Sequence, residues 1–271
     1  MIAPTSHGSV AVTPEISVLA STIPVPGLGA LPVNAFVIRA SEPVLIDSGV
    51  PALADATIEA IAECVDPADL RWIWVTHCDA DHIGALSRIL QLAPHARVVT
   101  CYLGMGKLGL AGLVPPERVF LINPGQTLTV GDRTLQALSM PSFDAPETMG
   151  VFDTTSRTLF SSDCFGAVLS ETTALASYGD AAAIRSDELA SGLGTWTSVD
   201  APWLSRTEPG YLTSALATLQ SLAPEHVLGA HLAPVHGQFD SLAGMLLAAR
   251  DLPPFVGPDQ AALEAMLGAA A

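Results

Sequence analysis

The sequence has very little positive charge. Eleven Lys and Arg residues stand against 27 Asp and Glu in 271 positions, giving a formal net charge of −16, and Lys107 is the only lysine. A chain this acidic lacks the basic surface that holds phosphate backbones or anionic lipid headgroups, so no nucleic acid and no membrane is expected as a partner. Cysteine is also scarce. Cys64, Cys78, Cys101 and Cys164 show no C-x-x-C spacing, which argues against a disulfide framework or a zinc finger. Long apolar runs are missing too. Hydrophobic residues reach 49% and mean hydropathy +0.44, inflated by alanine and leucine. No stretch approaches the roughly 18 unbroken apolar residues of a membrane span. The start, MIAPTSHGSVAVTPE, has neither a basic nor an apolar leader region, so no secretory signal is expected and the expected compartment is cytoplasmic.

What the chain does have is a dense run of ionisable residues directly after an apolar one. Within Arg71 to Leu86 (RWIWVTHCDADHIGAL), Trp72-Ile73-Trp74-Val75 reads as a buried strand that ends in His77, Asp79, Asp81 and His82. A strand that stops abruptly at ionisable side chains is a common way to hold them rigidly at a pocket. His77 and Asp79 lie two apart and face the same way on extended backbone, whereas Asp81 and His82 begin a second direction. Ile83, Ala85-Leu86 and Ile89-Leu90 read as a helix, which puts Asp81 and His82 at its N-terminus. Two ligand pairs splayed from one loop suit two metal ions better than one. The plain alternative is an acidic helix cap with two incidental histidines, but a cap needs one carboxylate, not four clustered ligands. Cys78 is expected to face away from the ligands and to serve packing.

The remaining pattern is α/β. Ile16 to Ile23, Val33 to Ile38 and Pro43 to Asp47 read as strands, the last two a hairpin joined by Arg39 to Glu42. Ala52 to Cys64 is helical, Ala85 to Leu92 is helical, and Ala96 to Cys101 is a strand, so strands and helices alternate. In the second half, Thr127 to Val130 with Thr134 to Met140, and Gly150 to Phe152 with Thr158 to Asp163, read as two hairpins. Patterning is poor from Ala167 to Gly210, with Ala174 to Ile184 read as helical and Gly192 to Pro202 as loop. Leu212 to Leu222 is a helix, His226 to Ala230 a short strand ending at His231, and Leu242 to Arg250 and Gln260 to Leu267 are terminal helices. His7 and His95 are expected at the surface.

The metal loop resembles the HxHxDH motif of the metallo-β-lactamase fold, with Asp79 in place of the second His. That carboxylate replacement is similar to the flavodiiron and oxygen-binding diiron branch, whose motif is HxExDH, and Gly84-Ala85-Leu86 fits the same branch. Asp47-Ser48-Gly49, thirty residues before His77, resembles the motif whose Asp supports the metal loop by hydrogen bonding, although a simple turn explains it equally. NAFVI (Asn34 to Ile38) is similar to the NAYLI-type segment of flavodiiron proteins. Phe143 to Met149 resembles their LHWPDSM segment, with Asp144 where that family has a ligand His. Leu159 to Gly166 (LFSSDCFG) resembles LFSxDxFG, whose Asp, here Asp163, bridges both metals. His231 stands where the last ligand His ends a strand; His236 competes, and His231 is favoured because it directly follows the strand.

The resemblance implies an αβ/βα four-layer sandwich of the metallo-β-lactamase type. It also implies one domain over 1–271, with pseudo-repeat halves of about 1–120 and 121–240 and C-terminal helices in 241–271. It implies one metal held by His77, Asp79, Asp144 and bridging Asp163, and another by Asp81, His82, Asp163 and His231. Asp79 is one methylene shorter than the family's Glu. Three imidazoles and four carboxylates form a hard, anionic set that favours iron or manganese over zinc, and the resemblance implies two Fe ions, with Mn or Zn as alternatives. Four negative charges offset two divalent ions; without metal the clustered carboxylates repel one another or take up protons. The expected function is a non-haem diiron protein that binds or reduces dioxygen, as a sensor or a flavodiiron-like oxidoreductase. No stretch reads as a flavodoxin-like FMN domain, so electrons would come from a separate electron-transfer protein. The alternative is a metallohydrolase using a metal-bound hydroxide on an ester, lactone or thioester, with Asp81 orienting water as the catalytic residue. A metal-poor scaffold is the third reading. The expected partner is dioxygen or a small-molecule substrate, with pocket walls from Ala167 to Gly210, and a homodimer is compatible with the sequence.

Overall fold

The computed structural model describes residues 3–269. Seven strands form the first sheet in chain order: β1 (Thr5–Ala11), β2 (Ile16–Val25), β3 (Gly29–Ile38), β4 (Val44–Ile46), β5 (Trp72–Trp74), β6 (Arg97–Thr100) and β7 (Val119–Leu121). Strands β1 to β4 pair antiparallel through short connections, and β4 to β7 pair parallel. Parallel neighbours need crossovers of a dozen residues or more. The crossovers carry α1 (Ala54–Cys64), then α2 (Ala80–Ile83) with α3 (Leu86–Leu92), then α4 (Tyr102–Leu110).

The second sheet contains β8 (Thr127–Thr129), β9 (Thr134–Leu138), β10 (Gly150–Asp153), β11 (Thr158–Phe160), β12 (His226–Leu228) and β13 (Val235–His236), in the spatial order β13-β12-β11-β10-β9-β8. Between β11 and β12 run α5 (Glu171–Ser177), α6 (Ser186–Asp200) and α7 (Pro209–Ser221); α8 (Phe239–Ala249) and α9 (Gln260–Ala269) follow β13.

Alternation of side chains along the strands sorts them into three cores. Val18, Phe36, Ile46 and Trp74 meet Leu135, Val151, Phe160 and Leu228 between the sheets. Their chain neighbours Leu19, Val37, Leu45 and Ile73 point outward, onto Ile61, Leu86 and Ile89 of the helices. On the far side Phe152, Leu159 and Val227 pack with Leu193, Leu212, Leu216 and Leu246. The architecture is therefore the expected αβ/βα sandwich. Full burial of each large apolar side chain stabilises it by about 1.5–3 kcal/mol.

Some segments differ from their sequence reading. β1, α4, β7 and β13 carry weak patterns and go unread. The helix expected to run on from the metal loop is broken into α2 and α3 at Gly84. Gly192 to Pro202, expected as loop, belongs largely to α6, a 15-residue helix. Its Gly192, Gly194, Thr195, Thr197 and Val199 are poor helix formers. Burial of Leu189, Leu193 and Thr197 supplies what propensity does not. Strand β12 ends at Leu228, short of His231.

The segment after β12 is held by Asn34 instead. The Asn34 Nδ2 group donates to the carbonyls of Gly229 at 3.0 Å and Leu232 at 2.7 Å, and its backbone N–H donates to Ala230 O at 2.9 Å. One buried amide on β3 thus ties the first sheet to residues 229–232 of the second half. Asn34→Ala strips both carbonyls of a donor, and we expect a loss of about 2–4 kcal/mol from two buried, unsatisfied acceptors. Urea denaturation measures it; a loss below about 1 kcal/mol would show that the tie is replaceable.

Candidate metal centre

The site forms where strand ends of both sheets face each other. After β5 the backbone N–H of Thr76 donates to Asp47 Oδ1 at 2.8 Å, and Thr76 Oγ1 donates to Asp47 Oδ2 at 2.8 Å. Asp47 Oδ2 also accepts from His82 Nδ1 at 2.9 Å. The Asp47 backbone is left-handed, with φ +57°, a conformation that Asp tolerates better than most residues. Ser48 and Gly49 clamp the short helix α2: Ser48 N donates to His82 O at 2.7 Å, and Gly84 N donates to Gly49 O at 2.8 Å. A Cβ on Gly84 would stand 2.3 Å from both Gly49 O and Pro51 N, so only glycine permits this approach.

His77 is oriented by the same carboxylate at one remove. Ser162 Oγ donates to Thr76 Oγ1 at 3.0 Å and accepts from His77 Nδ1 at 3.3 Å, so the chain His77–Ser162–Thr76 ends on Asp47. His231 Nδ1 donates to the Pro32 carbonyl at 2.8 Å. An imidazole that gives its Nδ1 proton outward presents a lone pair at Nε2. All three Nε2 atoms turn toward Asp163. His82 Nε2 lies 3.1 Å from Asp163 Oδ1; His231 Nε2 and His77 Nε2 lie 3.3 and 3.8 Å from Oδ2.

The carboxylates complete two groups. In one, ligand atoms of His77, Asp79 and Asp144 lie within 4.8 Å of one another; in the other, those of Asp81, His82 and His231 do. Asp81 Oδ2 stands 3.4 Å from His231 Nε2 and 3.6 Å from His82 Nε2, and Asp144 Oδ1 stands 3.8 Å from His77 Nε2. Asp163 touches histidines of both groups. The imidazoles and Asp163 are buried, whereas the Asp81 and Asp144 side chains are 27% and 30% exposed at the rim. All seven candidate ligands read from the sequence therefore come together. Asp79 occupies the N-cap position of α2, yet its side chain accepts no bond from the helix. The acidic-cap reading fails for that reason.

Electrostatics show what the cluster is built to hold. Burial alone would push the His231 imidazole down, but the Asp163 carboxylate, by charge and hydrogen bond, and Asp81 bring it up to about 9. Burial likewise opposes charge on His82, and Asp163 and Asp47 override it and raise it well above its ordinary value. Burial would raise the Asp163 carboxyl; His231 and His82 hold it well below the usual range. Burial raises Asp144, helped by Asp163 and Asp79 and opposed by His77. The pocket thus draws positive charge to its centre. The buried His77 Nε2 atom has no hydrogen-bond partner, a costly state for a polar atom unless something else binds it. Converging imidazole lone pairs and carboxylates fit metal ions.

Other residues were less legible. His236, the competitor of His231, lies away from the cluster and pairs with His226 across β12 and β13, Nδ1 to Nδ1 at 2.8 Å. Cys78 turns outward, its Sγ on Gly104 O at 3.7 Å, and burial pushes its thiol up to about 12. His95 is exposed as expected, whereas His7 is half-buried, stacked on Tyr178 and bonded to Thr22. The walls do come from the poorly patterned region, through α6. Trp196 donates Nε1 to Asp163 O at 3.0 Å and lays its ring 4.6 Å from that of His231. A Cβ on Gly166 would lie 2.5 Å from Trp196 Nε1 and 2.8 Å from His231 Cβ, which explains the glycine closing LFSSDCFG. Asp200, also missed, brings a buried carboxylate beside Asp144 and Asp163. Burial, then Asp163 and Asp144, raise it to about 8. Spacing Trp196 four residues before Asp200 was the only sequence signal.

The chain and its fold have known relatives. A family model described as ODP family beta lactamase matches residues 31–186. A flavo-diiron protein of Clostridium acetobutylicum is 27% identical over 136 residues, which are 49% of this chain and 34% of that protein. A diflavin flavoprotein of Synechocystis is 29% identical over 134 residues, 49% of this chain and 23% of its own length. The chain thus matches 34% and 23% of these relatives' own lengths. Among solved structures, rubredoxin oxygen:oxidoreductase of Desulfovibrio gigas superposes with a TM-score of 0.76 at 18% identity, covering 90% of this chain and 60% of that one. No helix among the described residues is long and apolar enough to cross a membrane.

The positions of the two competing histidines give a direct test. His231→Ala removes an imidazole of the cluster, whereas His236→Ala touches only the exposed pair. We expect elemental analysis to show metal lost from the first variant and retained near the wild-type amount in the second; the reverse pattern would refute the assignment.

Proposed function

The chain belongs to the ODP family of beta lactamases, and on that premise we propose that it is a dinuclear non-haem iron protein that binds or reduces dioxygen. The observation carrying this reading is the set of three imidazoles, each with Nδ1 committed outward, whose Nε2 atoms converge on Asp163. His77, Asp79 and Asp144 would hold one ion, Asp81, His82 and His231 the other, and Asp163 would bridge them. A set with more carboxylates than imidazoles suits iron or manganese better than zinc. Bound iron would supply the one-electron chemistry that dioxygen requires.

The chain's own residues do the positioning. Asp47 fixes the ring planes of His82 and, through Thr76 and Ser162, of His77, so the donors are arranged before any ion arrives. The Trp196 ring, tilted against that of His231 at 4.6 Å between centroids, covers one side of the centre. The partly exposed Asp81 and Asp144 mark the side from which a substrate reaches the centre. Asp81 Oδ2, close to both His82 and His231, would bring a carboxylate donor to the second ion from the rim. Relatives named flavo-diiron and diflavin proteins support a redox role, for which a flavin or another electron donor would supply the electrons. A dioxygen sensor would use the same centre without that supply.

Two measurements bear on this reading. Protein from iron-replete cells should carry roughly two metals per chain by elemental analysis, with iron predominating. Stoichiometric zinc without iron would instead support the hydrolase alternative, in which Asp81 orients water. Asp163→Asn should lower metal content more than Asp79→Asn, because Asp163 contacts histidines of both groups and the shorter Asp79 faces only one. Equal losses would make Asp79 a full ligand.

A further inference from the structure

Helix α6 ends on Asp200, a residue only 9% exposed. Its Oδ2 atom is shut away from solvent and has no hydrogen-bond partner. A buried carboxylate oxygen with nothing to accept from is a costly feature. Its surroundings add to the cost, since ligand oxygens of Asp144, Asp163 and Asp200 all lie within 4.8 Å of one another. Three carboxyl groups at that spacing cannot all ionise unless a cation sits among them.

The fold nonetheless holds Asp200 there. Trp196, one helical turn earlier on the same face, is tied by Nε1 to the Asp163 carbonyl at 3.0 Å and packs on His231. Trp203, just past the helix, donates Nε1 to the Phe143 carbonyl at 2.8 Å, next to Asp144. Asp200 is thus flanked by two tryptophans, each fixed to backbone adjoining or belonging to a cluster carboxylate.

Resting on the dinuclear reading above, we propose that Asp200 is an additional carboxylate donor of the metal centre, and that it biases the centre toward holding a trivalent ion. Asp79, Asp81, Asp144 and Asp163 balance two divalent ions. Once a cation among the carboxylates drives off its proton, Asp200 brings a fifth negative charge, which matches one divalent and one trivalent ion. In a buried site unbalanced charge is expensive, so this match selects among ions. The ligand class is a hard trivalent cation, for which redox-inert Ga3+ stands in.

The test uses the full chain stripped of metal, titrated calorimetrically with Mn2+ and with Ga3+ supplied as its citrate complex. Asp200→Asn keeps shape and removes charge; Asp200→Ser serves as a second variant should the first fail to fold. Removing the carboxylate should weaken Ga3+ binding about tenfold more than Mn2+ binding, since an ion of higher charge loses more Coulomb energy. The metal-free variant should also unfold at a temperature no lower than wild type, because Asp200 Oδ2 makes no hydrogen bond that the substitution would break. Unchanged affinities for both ions would overturn the proposal while leaving the dinuclear reading intact. A metal-free variant markedly less stable than wild type would make Asp200 structural. A wild-type chain that binds neither ion would remove the dinuclear reading and this proposal with it.

Discussion

The site depends on the carboxylate of Asp47. It accepts from the Thr76 backbone, from the Thr76 hydroxyl and from His82 Nδ1, all within 2.9 Å. Through Thr76 and Ser162 it also governs His77. One side chain on the loop after β4 therefore sets the strand end, the short helix α2 and two imidazole planes together. Charge-assisted bonds of this kind are roughly twice as strong as neutral ones, and in a buried network each bond restricts the next. The left-handed backbone at Asp47 is the local cost of aiming the carboxylate across to the neighbouring strand end. Ser162, the relay on the opposite sheet, is also left-handed, with φ +52°. Strained residues thus stand on both sides of the centre, as expected where geometry is imposed by function.

This arrangement explains which parts of the molecule could be read from sequence. His77, Asp79, Asp81 and His82 were legible because they crowd together directly after a strong apolar strand, whereas Asp144, Asp163 and His231 were legible through the resemblance of their segments to a family's motifs. Asp47 was legible only as half of an ambiguity, since a turn explains Asp-Ser-Gly as well as a support does. What resolved it was a register: the parallel pairing of β4 with β5 sets Ile46 beside Trp74, and so brings Asp47 alongside Thr76. No local pattern contains that information.

The wall of the site was illegible for the opposite reason. Helix α6 is rich in glycine and β-branched residues, and its propensity argues against the structure that it adopts. It is helical because its apolar face packs under the second sheet, and because Trp196 and Trp203 reach carbonyls in other segments. Its close fit to the centre is written elsewhere, in Gly166, where no side chain intervenes between His231 and the Trp196 ring. The tie made by Asn34 belongs to the same class. A buried Asn in an apolar strand was visible, but its partners lie nearly two hundred residues away, at Gly229 and Leu232. Long-range polar satisfaction is the level of organisation that a single sequence conceals best.

The distribution of charge around the centre bears on what enters it. The imidazoles lie at the base and carboxylates form the rim, where Asp79, Asp81 and Asp144 meet solvent. The only lysine, Lys107, is committed to the buried Glu147 at 2.5 Å. An anionic substrate would approach an acidic rim on a chain of net charge −16, against a field that slows association. Bound divalent ions would only neutralise the four candidate ligand carboxylates, so the centre adds no positive charge to draw an anion past the rim. Phosphates and carboxylate-bearing esters are therefore poor matches. A small neutral molecule meets no such barrier, crosses an acidic rim freely and needs no cationic residue to orient it. Dioxygen has those properties, and for that reason the charge pattern favours the dioxygen reading over hydrolysis of an anionic ester.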